Sequence, residues 1–163
     1  MYPRPFAGVK VAGCRPPSGP EPAPVKLPAM PAGKPRVPPN CDVFLGLTCR
    51  DKSEPGVTVW TMTPAVHMAD RSGFVQGGFV AALIDSAMAS ATITGLKGRR
   101  AYTANTDLTV NFLRRAHVNE ELTCTARVLA EEEGVSFAEA DVANPSGQLV
   151  ATASSTYVLT GRG

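Results

Sequence analysis

The sequence predicts an α+β domain, an antiparallel sheet of five to six strands with one long helix packed against it. Three observations carry this. Strand-length runs rich in β-branched and apolar residues recur through the second half of the chain. One segment, Phe79 to about Thr94, lacks Gly and Pro and carries apolar residues at helical spacing. Beyond it the strand runs follow one another with turn-length breaks, so no crossover helix is available and the strands must pair antiparallel. A lone helix with an apolar stripe has to bury it against that sheet.

The elements follow in order. Val43–Cys49 alternates in part and reads as a short strand or edge. Pro55-Gly56 marks a turn, and Val57–Met62 alternates as a strand. From Pro64 to Gly78 the chain reads as loop, with Asp70, Ser72, Gly73, Gly77 and Gly78. The helix stripe is Val80, Leu83, Ile84, Ala87, Met88 and Ala91, and Gly95 and Gly98 supply stop signals beside Lys97, Arg99 and Arg100. Asp85 lies roughly 130° from the centre of the stripe, on a face otherwise made of the small residues Gly78, Ala81, Ala89 and Thr92. Four strands are expected at about Tyr102–Leu113, Glu121–Leu129, Val135–Ala143 and Leu149–Leu159. Glu133-Gly134 and Asn144-Pro145-Ser146-Gly147 sit where hairpins need turns.

Composition divides the chain in two. Of its 163 residues, 15 are proline, and twelve of those fall between Pro3 and Pro39. That stretch carries Arg4, Lys10, Arg15, Lys26, Lys34 and Arg36 against Glu21 alone, a charge of +5, while the remainder is −3. Residues 1–39 therefore read as a basic, extended or disordered tail, and residues 40–163 as the globular domain. The tail fits an upstream-start artefact, a tether for a partner or an arm on a neighbouring subunit. It has no continuous apolar core of the kind a signal peptide needs. An overall charge of +2 gives no reason to expect nucleic acid as a partner, and no apolar run suggests a membrane span.

Four cysteines and two histidines, His67 and His117, show no paired spacing for zinc, so no metal is expected. Cys49 and Cys124 read as free buried thiols of a reducing compartment, hence a cytoplasmic protein. His67 and His117 read as loop residues, and Trp60 and Tyr157 as core or rim.

The segment Gly73-Phe74-Val75-Gln76-Gly77-Gly78-Phe79-Val80-Ala81-Ala82-Leu83-Ile84-Asp85-Ser86-Ala87 resembles a signature written G-x-x-H-G-G-x-x-x-x-L-x-D-x-A. The run Asn105-Thr106-Asp107-Leu108-Thr109-Val110-Asn111-Phe112-Leu113-Arg114-Arg115-Ala116 resembles one written T-x-D-L-x-V-x-F-L-R-P-A. Both belong to the hotdog-fold thioesterases of the PaaI-like, phenylacetate-pathway type. The resemblance spans Cys41 to Thr160 and implies a curved sheet wrapped around a central helix. It also implies hydrolysis of an acyl-CoA thioester, with coenzyme A as part of the substrate and no cofactor. Its further implication is a homodimer, often paired into a tetramer.

Residue by residue, the resemblance implies that the amides of Gly77 and Gly78 polarise the thioester carbonyl and that Asp85 is general base or nucleophile. Unpaired amides at a helix start suit a developing oxyanion, and a carboxylate can activate or supply the attacking oxygen. Gln76 replaces the family's histidine and can donate a hydrogen bond but not serve as a proton acceptor near neutral pH. Asp70 stands where an asparagine is usual, and either holds a water or caps the loop. Asn105, with Thr106 beside it, aligns with a Ser or Thr that would steady Asp85 or the leaving group. Arg114 and Arg115, the latter in place of a proline, are candidates for the phosphates of coenzyme A, as are Lys97, Arg99 and Arg100. Gly77 and Asp85 are eight residues apart on one helix, or ~12 Å, too far to serve one carbonyl, so the site is expected where two subunits meet. The departures at Asp70 and Gln76 motivate the alternative of a non-catalytic acyl-CoA-binding or scaffolding protein. Hydration of an enoyl thioester is disfavoured because no histidine accompanies Asp85.

Overall fold

The computed structural model describes residues 39–161. The proline-rich segment before them, with Cys14 and nearly all of the expected tail, lies outside the described residues. Six strands form one sheet: β1 (Thr48–Asp51), β2 (Val57–Met62), β3 (Ala101–Phe112), β4 (Leu122–Glu132), β5 (Val135–Ala143) and β6 (Leu149–Gly161). Their spatial order is β1-β2-β4-β5-β6-β3, and every neighbouring pair is antiparallel. The long helix, here α2 (Gly77–Gly95), leads from β2 near one edge to β3 at the other. This is the expected sheet wrapped on a single long helix.

The wrap has a chemical cause. The helix buries Val80, Leu83, Ile84, Ala87, Met88 and Ala91, the stripe read from the sequence. The middle strands meet it with small side chains, Ala126 on β4, Ala138 and Ala140 on β5, Ala151 and Ala153 on β6, all buried. Larger residues, Trp60, Met62 and Leu122, close the β2 side. Small centres and bulky flank let the helix sink toward the sheet while keeping the interior filled. Thr58 on β2 donates its hydroxyl to the Ala87 carbonyl at 2.8 Å, a polar tie inside an apolar interface. By length and composition α2 could cross a membrane, but its apolar stripe is occupied by the sheet.

The hairpins use the turns expected. Glu133 and Gly134 have φ of 50° and 81°, the two positive values that a two-residue hairpin turn between paired Glu132 and Val135 requires. At the other turn Asn144 Oδ1 accepts from the amides of Ser146 and Gln148.

The expected strand over Val43–Cys49 is corrected. Asn40–Leu45 is a short helix, α1, and the strand begins at Thr48. The helix follows Pro39, and Gly46 ends it at φ 68° with its amide on the Asp42 and Val43 carbonyls. Three consecutive apolar residues do not distinguish strand from helix. Asp42 decides it: buried at 5% exposure, it accepts a 2.8 Å hydrogen bond from the Ser86 hydroxyl of α2. The loop before α2 likewise contains one 3-10 turn, Val66–Met68.

Candidate active site

The loop entering α2 is built by hydrogen bonds rather than by a core. Asp70 Oδ1 accepts from the amides of Ser72 at 2.7 Å and Phe74 at 3.3 Å, and the Asp70 amide donates to the Phe74 carbonyl. Asp70 thus closes a tight loop. Val75 and Gln76 are then pinned through their amides to the carbonyls of Ala116 and Met68. This fixes where the helix begins.

Gln76 is the N-cap of α2. Its side-chain oxygen accepts from the Gly78 amide at 2.9 Å, which satisfies one of the helix's orphan donors. The Gly77 amide has no acceptor among the described residues. The two glycine amides are therefore not equivalent: Gly78 is capped and Gly77 is free at the positive end of the helix. Gly77 borders a cavity of about 360 Å³ whose walls include Val80, Phe112, Arg114 and Arg115. A Cβ at Gly77 would meet the Phe112 ring at 2.9 Å, so glycine is required for the ring to lie this close. Arg114 donates to the Leu149 carbonyl at 2.8 Å. Arg115 stacks on Phe74, 4.6 Å from the ring centroid, and Phe74 in turn meets His117 edge-on.

Asp85 forms the second centre, two turns along the helix. Its Oδ1 accepts from Asn105 Nδ2 at 3.0 Å, and the Tyr157 hydroxyl lies 3.4 Å from both Oδ1 and the Asp85 carbonyl. Burial pushes the Asp85 carboxyl above the usual carboxylate range; the hydrogen bond from Tyr157 opposes this, and the charge of Asp42 adds to it. Burial and the neighbouring Asp85 raise the Tyr157 phenol, which keeps it a proton donor. A bulge brings Asn105 here. Pairing with β6 skips Thr106, between Asn105 and Asp107, and so reverses the facing of β3. Asn105, opposite the buried Tyr157, then shares the helix-facing side with Leu108 and Val110. Were Thr106 paired in regular alternation instead, Asn105 would share the face of Asp107 and point away from the helix.

The predicted residues thus fall into groups. Gly77, Arg114 and Arg115 line one cavity, whereas Gln76 is outside its lining and takes up the Gly78 amide. Asp85 and Asn105 touch. Thr106, the bulge residue, places its hydroxyl 3.3 Å from the Thr156 carbonyl, away from Asp85. Arg99, Arg100 and Ile93 line a separate cavity of about 280 Å³ at the other end of α2, where Nη2 of Arg99 donates to both carboxylate oxygens of Glu131 at 2.5 and 2.6 Å. Because α2 is one unbroken helix, the Gly77 amide and the Asp85 carboxylate of a chain stay ~12 Å apart. Sequence reasoning missed Asp42, Phe74, Phe112 as a wall over Gly77, and Tyr157 as a partner of Asp85. Phe112 stood inside a quoted motif, but the position of Tyr157 depends on strand register.

Among the described residues no group of three or more His, Cys, Asp or Glu could hold a metal ion. Cys41, Cys49 and Cys124 are free thiols; burial pushes Cys124 up to about 12.

A family model described as Thioesterase superfamily matches residues 72–151, the stretch that contains α2 and most of the sheet. No curated protein matches the chain. Among solved structures, the E. coli PaaI protein of the phenylacetic acid degradation operon superposes with a TM-score of 0.69 at 24% identity, over 74% of this chain and 84% of that one. A phenylacetic acid degradation-related putative thioesterase from Ralstonia eutropha JMP134 gives 0.68 at 26%, over 74% and 89%. AziG of S. sahachiroi gives 0.70 at 21%, over 78% and 100%. With six antiparallel strands around one helix, the described domain has the hotdog fold of these PaaI-like structures, and its residues 72–151 match the thioesterase superfamily.

Proposed function

We propose that the protein is a homodimeric acyl-CoA thioesterase of the cytoplasm, needing no metal or redox cofactor. The observation that carries this is the pair of complementary half-sites: Gly77, which borders a cavity and whose amide has no acceptor among the described residues, and a half-buried carboxylate, Asp85, held by Asn105. Neither half alone hydrolyses a thioester. The amide and the helix dipole stabilise negative charge on the carbonyl oxygen. The carboxylate takes a proton from water as the water oxygen bonds to the carbonyl carbon; the C–S bond then breaks, and the coenzyme A sulfur leaves and is protonated. A carboxylate with a raised proton affinity is a better base for this task. Direct attack by Asp85 is the other route open to the same group.

The ~12 Å between the halves requires that Asp85 of the partner subunit serve Gly77 of this one. Strand β3 supports such an assembly. It is twelve residues long and lies at the sheet edge, paired among the described residues on one side only, with β6. A bare edge of that length asks for a cover, and a second β3 across a two-fold axis supplies one. Arg114 and Arg115 line the same cavity as Gly77, which supports assigning them to the phosphates of coenzyme A.

The test is release of free coenzyme A from phenylacetyl-CoA, hexanoyl-CoA and palmitoyl-CoA. Asp85→Asn should lower the fastest of these rates at least about a hundredfold without changing the fold; wild-type turnover in that variant would refute the role of Asp85. A second reading, binding without turnover, is favoured by the Gln76 contact that occupies the Gly78 amide. Retention of acyl-CoA with no thiol appearing would establish it.

A further inference from the structure

We propose that Tyr157 is a positioning residue: together with Asn105 it holds Oδ1 of Asp85 and so turns Oδ2 toward the attacking water. The proposal rests on the reading of Asp85 as the base. It is carried by geometry. Tyr157 is 2% exposed and lies on the inner face of β6, opposite Asn105 on β3. Its hydroxyl lies 3.4 Å from Asp85 Oδ1, and Asn105 Nδ2 lies 3.0 Å from the same oxygen. No hydrogen bond among the described residues reaches Oδ2.

A phenylalanine would fill the same apolar space, so packing accounts for the ring and not for its hydroxyl. A buried phenol needs a polar partner, and this one sits beside the carboxylate and the carbonyl of a single helix residue. Two donors on one oxygen remove the free rotation that would otherwise exchange Oδ1 and Oδ2, and the unbonded oxygen is then presented in one direction. A contact of 3.4 Å is long for O–H···O; such contacts at a base tighten when substrate closes the site. The charged groups around this pair are Asp42 of α1, which acts on Asp85, and Asp107 of β3, which acts on Tyr157.

The experiment is Tyr157→Phe, with two readouts. The first is the ¹³C-carboxyl titration of Asp85 in the protein without substrate. Loss of a donor to the ionised form should move its midpoint up by about half a pH unit. The second is coenzyme A release from the three thioesters named above. The expected result is kcat lower by about tenfold, KM within about twofold, and the acid limb of kcat/KM displaced upward with the NMR midpoint. An unmoved midpoint with wild-type kcat would overturn the proposal. Should Tyr157→Phe not fold, 3-fluorotyrosine at 157, a stronger donor of the same shape, should move the midpoint down, and no movement would count against the proposal equally. Asp85→Asn is assayed alongside. If it retains turnover the base reading fails, whereas the titration of Asp85 still reports whether Tyr157 holds the carboxylate.

Discussion

At Asp85 the chemistry and the stability of the protein pull in opposite directions. The carboxyl is half-buried and holds its proton more tightly than an exposed aspartate, chiefly because burial disfavours the charge. A carboxyl whose folded-state proton affinity is raised removes stability as pH climbs from its unfolded value through its folded one, because the folded state then has to hold a charge in a place that disfavours it. Asp85→Asn removes that burden and can still accept from Asn105. The variant should therefore be more stable than the parent at pH 7, by less than about 1 kcal/mol because solvent screens a group this exposed. The gain should disappear below about pH 4, where the aspartate is protonated in both states. Thermal melts of the two proteins from pH 3.5 to 7.5 would show the curves diverging as pH rises. A variant less stable than the parent at pH 7 would mean that the hydrogen bonds to the carboxylate outweigh its burial.

At the scale of elements, what the site requires is concentrated in the first turn of α2, and this allows a narrow test. Gly77 is the first helical residue, and Gln76 before it has φ −67° and ψ 130°, values that a residue preceding proline adopts. Proline at the first helical position has no hydrogen bond to lose to the helix itself. Gly77→Pro thus deletes the one amide hydrogen proposed to hold the oxyanion while leaving the helix intact, and the exposed Phe112 ring can swing from the incoming Cβ. Coenzyme A release should fall by a hundredfold or more with far-ultraviolet circular dichroism unchanged; undiminished release would assign the oxyanion to another donor. The same turn marks how far the sequence can be read. The helix, its stripe and five of the strands were legible because period and turn chemistry are local properties. Helix α1 was not, because its identity rests on the Asp42–Ser86 contact, formed across 44 residues. At the site, Gly77 and Asp85 were legible through their motif, whereas the unequal state of the two glycine amides depends on a Gln76 rotamer. The approach of Asn105 and Tyr157 to Asp85 depends on a bulge at Thr106, and no periodicity announces it.

For the whole molecule the decisive quantity is the length of α2 between its two chemical groups. A helix cannot shorten, so a chain acting alone has a free amide at one place and a carboxylate ~12 Å away, and hydrolysis requires a second copy. This predicts more than a dimeric mass in sedimentation. Each two-fold assembly would contain two sites, and each site would take Gly77 from one chain and Asp85 from the other. Gly77→Pro and Asp85→Asn homodimers should both be inactive for the reasons given. After denaturation and co-refolding at equal amounts, random pairing makes about half of the dimers mixed. In a mixed dimer one site receives both damaged groups and the other receives both intact ones. The mixture should then recover about a quarter of the wild-type rate of coenzyme A release, a level no mixture of inactive, self-contained chains can reach. If the co-refolded sample stays as inactive as its parents while its dimers are demonstrably mixed, Gly77 and Asp85 do not meet across a subunit boundary, and since both lie on the one helix α2 the pairing of these two groups at one carbonyl is refuted.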